Sequence, residues 1–236
     1  MSQLKACGLV LLCFLSFASQ AKDKSVIYIG DSHSSVSWGL FARIFEGETS
    51  LKEFSVDFAQ GVCGAGIHYY LRGDLRTSCG FMEASRGMID YRQAGHSVLI
   101  DDVLGSSDIV FVQLGGNHWE NPRGAIPLAR ALVNKVLDSG AKCIWIGTAS
   151  ADARRCPRSR QQRRQVNEAL KEALSRTNRE DRLSCDYIDS FSLTDFEGAL
   201  DISNDCRHYT SRGYRQWSEI ILPELVKRSF DLVELQ

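Results

Sequence analysis

The chain has 236 residues, with 28 basic and 29 acidic side chains and a formal net charge of −1. With a net charge near zero, nothing points to nucleic acid as a partner. The length fits one α/β domain or two small ones, and an apolar fraction of 44%, ordinary for a globular protein, allows a large core.

Lys5 is the only charge in the first 21 residues. An apolar stretch from Gly8 to Ala18 follows, then Ser19-Gln20-Ala21. That is the order of a charged n-region, a short apolar region and a small-x-small cleavage site. The apolar stretch is too short for a comfortable membrane span, and neither Cys7 nor Cys13 has a lipoprotein context. The expectation is a leader over residues 1–21, followed by a single exported, monomeric domain over 22–236, periplasmic or secreted. Six cysteines remain after the leader: Cys63, Cys79, Cys143, Cys156, Cys185 and Cys206. An even number in an exported chain predicts three disulfides. No Cys-x-x-Cys pair exists, so neither structural zinc nor a thioredoxin-type site is expected.

Lys24–Ile29 reads as a buried strand, and His33–Phe45 carries apolar residues at helical spacing. Phe54–Ala59 is a second strand. Gln60–Gly80 is glycine-rich and irregular, with room for a short helical piece. Residues 81–97 fit a helix, a small hairpin or an inserted loop. Val98–Leu104 reads as a short helix before the apolar strand Asp108–Leu114. Ala125–Ser139 is an amphipathic helix stopped by Gly140. Lys142–Gly147 is a strand and Ala149–Pro157 a loop. Ser159 with Gln162 has capping-box spacing for a helix running to about Arg176. Asp186–Ser190 is the last strand, 191–210 a long loop, and Ser211–Phe230 a final helix with Pro223 removing one backbone donor inside it. Buried strands alternating with helices predict an α/β fold of three layers, α/β/α, around a mainly parallel sheet of roughly five strands.

Ligands bind at the carboxyl ends of the strands in such sheets. Ser32 in Gly-Asp-Ser-His-Ser (30–34), Gly64 in Gly-Val-Cys-Gly (61–64) and Asn117 in Gly-Gly-Asn-His (115–118) each lie just past such an end. A serine hydroxyl needs a base, and the base needs an orienting group; Asp205 and His208 in Asp-Cys-Arg-His supply that pair. Each block alone has a bland explanation: a helix N-cap for Ser32, a turn for Asn117, an ordinary loop for Asp205-x-x-His208. All of them in this order point to one hydrolytic site. His33, His68, His96 and His118 read individually as loop or surface histidines without metal spacing. Residues 154–164 hold Arg154, Arg155, Arg158, Arg160, Arg163 and Arg164. A solvated face is the ordinary explanation. Positive charge at a helix start opposes the macrodipole, however, which leaves room for an anionic partner such as an acidic glycan or lipid headgroup.

Together these blocks resemble the SGNH (GDSL-type) hydrolase superfamily, and Tyr-Thr-Ser-Arg-Gly-Tyr-Arg-Gln-Trp (209–217) is similar to that family's segment after its histidine. The resemblance covers nearly all of the chain after the leader and implies the flavodoxin-like SGNH fold. It implies Ser32 as nucleophile, His208 as general base, and Asp205 as the holder of its tautomer. Ser32, Asn117 and one glycine then form the oxyanion hole; Gly61, Gly64 and Gly66 compete for that place, and distance past the second strand selects Gly64. No cofactor or metal is needed. The chain departs from the family at His118, where aspartate is common, and at His33, where many members are apolar. These two, with Arg154 and Arg155, are the candidate substrate contacts.

The first functional expectation is an exported serine esterase acting on O-acyl, foremost O-acetyl, esters of a carbohydrate or another small ester. An O-acyltransferase, or a lipase or thioesterase on longer chains, would share the chemistry. A non-catalytic glycan-binding domain would not keep all four groups. The expected disulfides are Cys63–Cys79, bracketing the Gly64 loop; Cys143–Cys185, near the starts of successive strands; and Cys156–Cys206, clamping the His208 loop.

Overall fold

The computed structural model describes residues 24–35, 54–85, 88–105, 107–175 and 185–234. The expected leader and most of the helix expected over His33–Phe45 lie outside these residues. Nine strands and six α-helices are assigned among them. In chain order they are β1 (Lys24–Gly30), β2 (Phe54–Val62), α1 (Ile67–Arg72), β3 (Arg76–Thr77), β4 (Phe81–Ser85) and β5 (Met88–Arg92). Then follow β6 (Gly95–His96), α2 (Ile100–Leu104), β7 (Ile109–Gln113), α3 (Ala125–Asp138), β8 (Lys142–Ile146) and α4 (Pro157–Ser175). The chain ends with β9 (Asp186–Ile188), α5 (Ser190–Leu193) and α6 (Ser211–Glu234).

The main sheet has seven strands in the order β5-β4-β2-β1-β7-β8-β9. The five from β2 to β9 are mutually parallel. Their order places a switch point between β1 and β7, where chains leave in opposite directions and open a crevice. Side chains alternate across the sheet. Val26 and Tyr28 of β1 join Phe111, Ile144, Trp217 and Ile221 in the core beneath α6. Ile27 and Ile29 join Val110, Trp145, Leu132 and Leu170 beneath α3 and α4. Both faces are therefore covered, and each such side chain contributes roughly 1.5–3 kcal/mol by leaving water.

Within residues 81–97, which fitted three alternatives, β4 and β5 pair antiparallel on the β2 edge, and β6 follows and pairs with β3. The expected capping box is not used. Helix α4 starts two residues earlier, at Pro157, and the carbonyl of Cys156 accepts the Arg160 N–H at 3.0 Å. Proline fits the first helical position because its φ is preset and its missing donor has no partner there. The last strand is shorter than expected: Asp189 caps α5 by accepting the Ser192 N–H at 3.1 Å. Helix α6 runs through Pro223 to Glu234, beyond the expected end at Phe230.

Disulfides join Cys63–Cys79, Cys143–Cys185 and Cys156–Cys206, with Cα–Cα distances of 5.7, 4.5 and 5.6 Å. These are the pairs suggested by strand order and loop position.

Candidate active site

Ser32 stands in a tight turn at the end of β1. The Ser34 N–H donates to the Asp31 carbonyl at 2.9 Å, closing the turn. A Cβ on Gly30 would lie 1.9 Å from Ser34 Oγ, so the chain can fold back only because residue 30 has none. Asp31 is 1% exposed beneath this turn. One carboxylate oxygen accepts the His33 N–H at 3.0 Å, and the other accepts the Gly116 N–H at 3.2 Å, tying the β1 and β7 exits together. Burial pushes its pKa up to about 6 against the pull of those two bonds.

The opposing residues come from the loop before α6. An antiparallel bridge, Ile202 to Tyr209, closes the loop, with Ser203 N–H donating to the His208 carbonyl at 2.9 Å. Within it Asp205 Oδ2 meets His208 Nδ1 at 2.7 Å, and His208 Nε2 meets Ser32 Oγ at 3.2 Å. The contact with a carboxylate requires the proton on Nδ1, which leaves Nε2 as an acceptor facing the serine hydroxyl. Burial raises the Asp205 pKa, but hydrogen bonds from the His208 and Arg207 N–H groups and from the Ser203 hydroxyl outweigh it and hold the carboxyl well below the usual range. The carboxylate thus stays charged at any pH at which the protein would work. Cys206, between the two, has φ of 57°, a left-handed conformation that costs a non-glycine residue on the order of 1 kcal/mol.

Helix α4 grips this loop at three points. The first is the Cys156–Cys206 disulfide, and the second is the Ser159 hydroxyl, which donates to the Cys206 carbonyl at 2.6 Å. The third is Arg163, only 8% exposed, which donates to the carbonyls of Arg207 and Ala149 and to the Tyr209 hydroxyl.

The remaining donors come from β2 and β7. Gly64, with φ of +84°, sits in the turn after β2 beside the Cys63–Cys79 bond. Asn117 lies past β7 and donates one amide hydrogen to the Ala65 carbonyl at 2.8 Å. That bond orients the amide and leaves its second hydrogen for another acceptor. Ser32, Gly64, Asn117, Asp205 and His208 all line one cavity of about 500 Å³.

The candidate substrate contacts are placed differently from expectation. His33 is not a surface histidine. It is 6% exposed, its Nδ1 lies 3.1 Å from the Tyr214 hydroxyl, and its ring packs 5.6 Å from that of His208. Burial, then the Arg163 charge, hold its pKa well below the ordinary value, so it supports the site as a neutral ring at the cavity wall. His118 turns away from the cavity. Its Nε2 accepts the Ile67 N–H at 3.1 Å, joining the Asn117 turn to the start of α1. Burial, then neighbouring His68, pull its pKa down to about 4.

Arg154 and Arg155 also lie outside the cavity. Arg154 pairs with Glu197 at 2.7 Å, and Arg155 donates to the Asn204 side chain at 3.1 Å. Arg158, Arg163 and Arg207 line the cavity instead. Sequence reasoning also passed over Asp31 and Arg163 as site residues. Asp31 stood inside the Gly-Asp-Ser block as an available signal, whereas nothing distinguished Arg163 from its five arginine neighbours. Among the described residues no cluster of three or more His, Cys, Asp or Glu side chains could hold a metal ion.

No family model and no curated protein sequence matches the chain. Solved structures do match. An acetyl esterase crystallised with an acetate ion aligns at a TM-score of 0.62 and 14% identity, covering 90% of this chain and 100% of its own. The acetyl xylan esterase AlAXEase aligns at 0.56 and 18% identity, covering 85% and 98%. A candidate SGNH hydrolase from Slackia heliotrinireducens aligns at 0.58 and 14%, covering 86% and 98%. With its strand order, its Ser32, Gly64 and Asn117 blocks just past strand ends and its His208 block in the loop before α6, the chain has the fold of the SGNH hydrolases.

Proposed function

We propose that the chain is a serine esterase. The observation that carries this reading is the relay from Asp205 Oδ2 through His208 to Ser32 Oγ, at 2.7 and 3.2 Å, opening into a cavity with Gly64 and Asn117 on its wall. As Ser32 Oγ bonds to the ester carbonyl carbon, His208 Nε2 takes its proton; the carbonyl oxygen becomes an oxyanion. The N–H groups of Ser32 and Gly64 and the second amide hydrogen of Asn117 stabilise that charge, each donor being worth roughly 3–4 kcal/mol in the transition state. On collapse, the ester C–O bond breaks and His208 returns the proton to the leaving alcohol. Water then attacks the acyl-serine by the same route, releasing the acid and restoring Ser32.

A short acyl group on a polar alcohol fits best. Trp119 is the one large apolar side chain among the described lining residues, and the rest are small, polar or charged, which gives a long acyl chain little to pack against. Likeness in fold to an acetyl esterase and an acetyl xylan esterase supports an O-acetylated carbohydrate. The three disulfides support export to an oxidising compartment. No described helix is long and apolar enough to cross a membrane.

The test is hydrolysis by purified protein of 4-nitrophenyl acetate, butyrate and octanoate, followed by acetate release from an acetylated xylo-oligosaccharide with and without an acceptor sugar. The expected order is acetate over octanoate by about tenfold or more. Preference for octanoate would favour a lipase, transfer to the acceptor would favour an acyltransferase, and a folded protein inert towards every ester would end the proposal.

A further inference from the structure

The six arginines of residues 154–164 separate into two groups once their partners are known. Arg154 is paired with Glu197, Arg155 with Asn204, and Arg160 and Arg164 with Asp195. Those four have partners outside the cavity, Arg154, Arg155 and Arg164 exposed and Arg160 half-buried. Arg158 and Arg163 face the cavity instead, and Arg207, from the loop before α6, joins them. Arg163 spends its hydrogens on carbonyls and hydroxyls and has no carboxylate partner among the described residues. Arg158 and Arg207 are exposed and form no ion pair there either. The Arg207 guanidinium carbon lies over the Trp119 ring, 4.2 Å from its centroid. A cation over an aromatic face is attracted by the ring's quadrupole, which holds this guanidinium at the cavity wall.

We infer that the substrate carries a carboxylate close to its ester, as an O-acylated acidic sugar does, and that Arg158 and Arg207 bind it. This rests on the esterase reading above. Arg207 directly precedes His208 in the chain. Arg158 stands in the first turn of α4, which the Cys156–Cys206 bond and Ser159 fasten to the same loop. Both guanidiniums therefore reach the cavity from the two segments that hold His208, and Arg207 extends across to Trp119.

The charge balance selects the kind of anion. Three guanidiniums (Arg158, Arg163, Arg207) line the cavity against two carboxylates (Glu120, Asp205), one net positive charge. That matches a monoanion better than a phosphate dianion. An unpaired arginine at the start of a helix also opposes the macrodipole, a cost that a bound carboxylate removes. The planar fork of arginine fits a carboxylate with two parallel hydrogen bonds.

The experiment compares three acetylated sugars: an O-acetyl methyl galacturonoside, its neutral 6-amide, and an O-acetyl methyl galactoside 6-phosphate. Wild-type protein should show kcat/KM about tenfold higher for the acid than for the amide at low salt, with the advantage shrinking in 0.5 M sodium chloride. The acid-to-amide ratio should fall several-fold in Arg158→Gln and in Arg207→Gln and approach one in the double variant, while Arg158→Lys and Arg207→Lys retain part of it. Equal rates for acid and amide, with 4-nitrophenyl acetate still cleaved, overturn the inference and leave the esterase reading intact. Preference for the phosphate overturns the assignment of a carboxylate. If no ester is cleaved, calorimetric titration of Ser32→Ala protein with a galacturonate oligomer still decides the matter. Binding that weakens in the double arginine background supports the anion site, and absence of binding removes it.

Discussion

Ser32 and His208 meet at one point, yet the molecule holds them there by different means. Ser32 rides on β1, flanked by β2 and β7, with Ile27, Tyr28 and Ile29 fully buried below it. Its position comes from the sheet, supported by Asp31 reaching the Gly116 N–H. His208 rides on a half-exposed loop with little core of its own. Its position comes from cross-links: a disulfide to Cys156, the Ser159 hydroxyl, and the buried Arg163 reaching the Arg207 carbonyl. Loops place reactive groups well only when a rigid element over-determines them, and here α4 is that element. Damage to α4's grip should therefore misplace the base while leaving the nucleophile and the sheet in order.

The largest effects should come from the groups themselves. Ser32→Ala and His208→Ala should each lower kcat by at least about a thousandfold with an unchanged circular dichroism spectrum, and combining them should add little, because the two act as one unit. Asp205→Asn should be less complete, about a hundredfold or more, since loop hydrogen bonds still hold the ring in place. Full turnover in a folded Ser32→Ala protein would mean that the relay is not the catalyst.

Asn117→Ala should lower kcat by about a hundredfold while moving KM little, because the amide acts on charge that develops only in the transition state. Steady-state kinetics with 4-nitrophenyl acetate separates the two terms. A change confined to KM would make Asn117 a binding residue.

The Cys156→Ala/Cys206→Ala pair tests the comparison directly. The bond closes a loop with a sequence separation of 50, for which chain entropy suggests a loss of about 2–4 kcal/mol in stability. The expected kinetic effect is a fall of about tenfold in kcat, with labelling at Ser32 slowed alongside. If urea denaturation shows the stability loss but kcat is untouched, Ser159 and Arg163 suffice to hold the base.

The smallest effect concerns the other side of the cavity. With a pKa of about 4, His118 is neutral in the folded protein while its unfolded value is near 6.5. Its contribution to stability is complete above pH 6.5 and is lost as pH falls from there towards 4. Between pH 7.5 and 5 the loss is about 2 kcal/mol. His118→Gln, which still offers an oxygen to the Ile67 N–H, should be less sensitive to acid by that amount in urea titrations at the two pH values. Equal acid sensitivity in both proteins would mean that His118 is not the titrating group. Asp31, whose raised pKa works in the opposite direction, is present in both and drops out of the difference.

The same contrast governs what could be read from the chain. Strands β1, β7 and β8 and helix α3 stood out because continuous apolar runs and 3.6-residue spacing follow directly from burial on two faces or one. Strand β5 did not. It is an edge strand with Met88 at 73% exposure and Tyr91 at 39%, so no alternation marks it. Ser32, Gly64 and Asn117 were legible because each follows its strand in sequence. The grip of α4 was not, because Ser159 and Arg163 act on residues 47 and 44 positions away. Ser159 had the spacing of a capping residue, but Pro157 starts the helix first and turns that hydroxyl to Cys206. For the arginines, which side of α4 faces the cavity depends on where the loop before α6 crosses it, and local sequence carries no record of that crossing.

If Ser32 is a nucleophile activated by His208, it will react selectively with an electrophile that mimics an ester. Brief treatment with a serine-directed fluorophosphonate, followed by peptide mass mapping, tests it most directly. The account predicts stoichiometric modification on Ser32 in step with loss of esterase activity, and strongly slowed labelling in His208→Ala. Esterase activity that survives full labelling, or a label found on any residue other than Ser32, would contradict it.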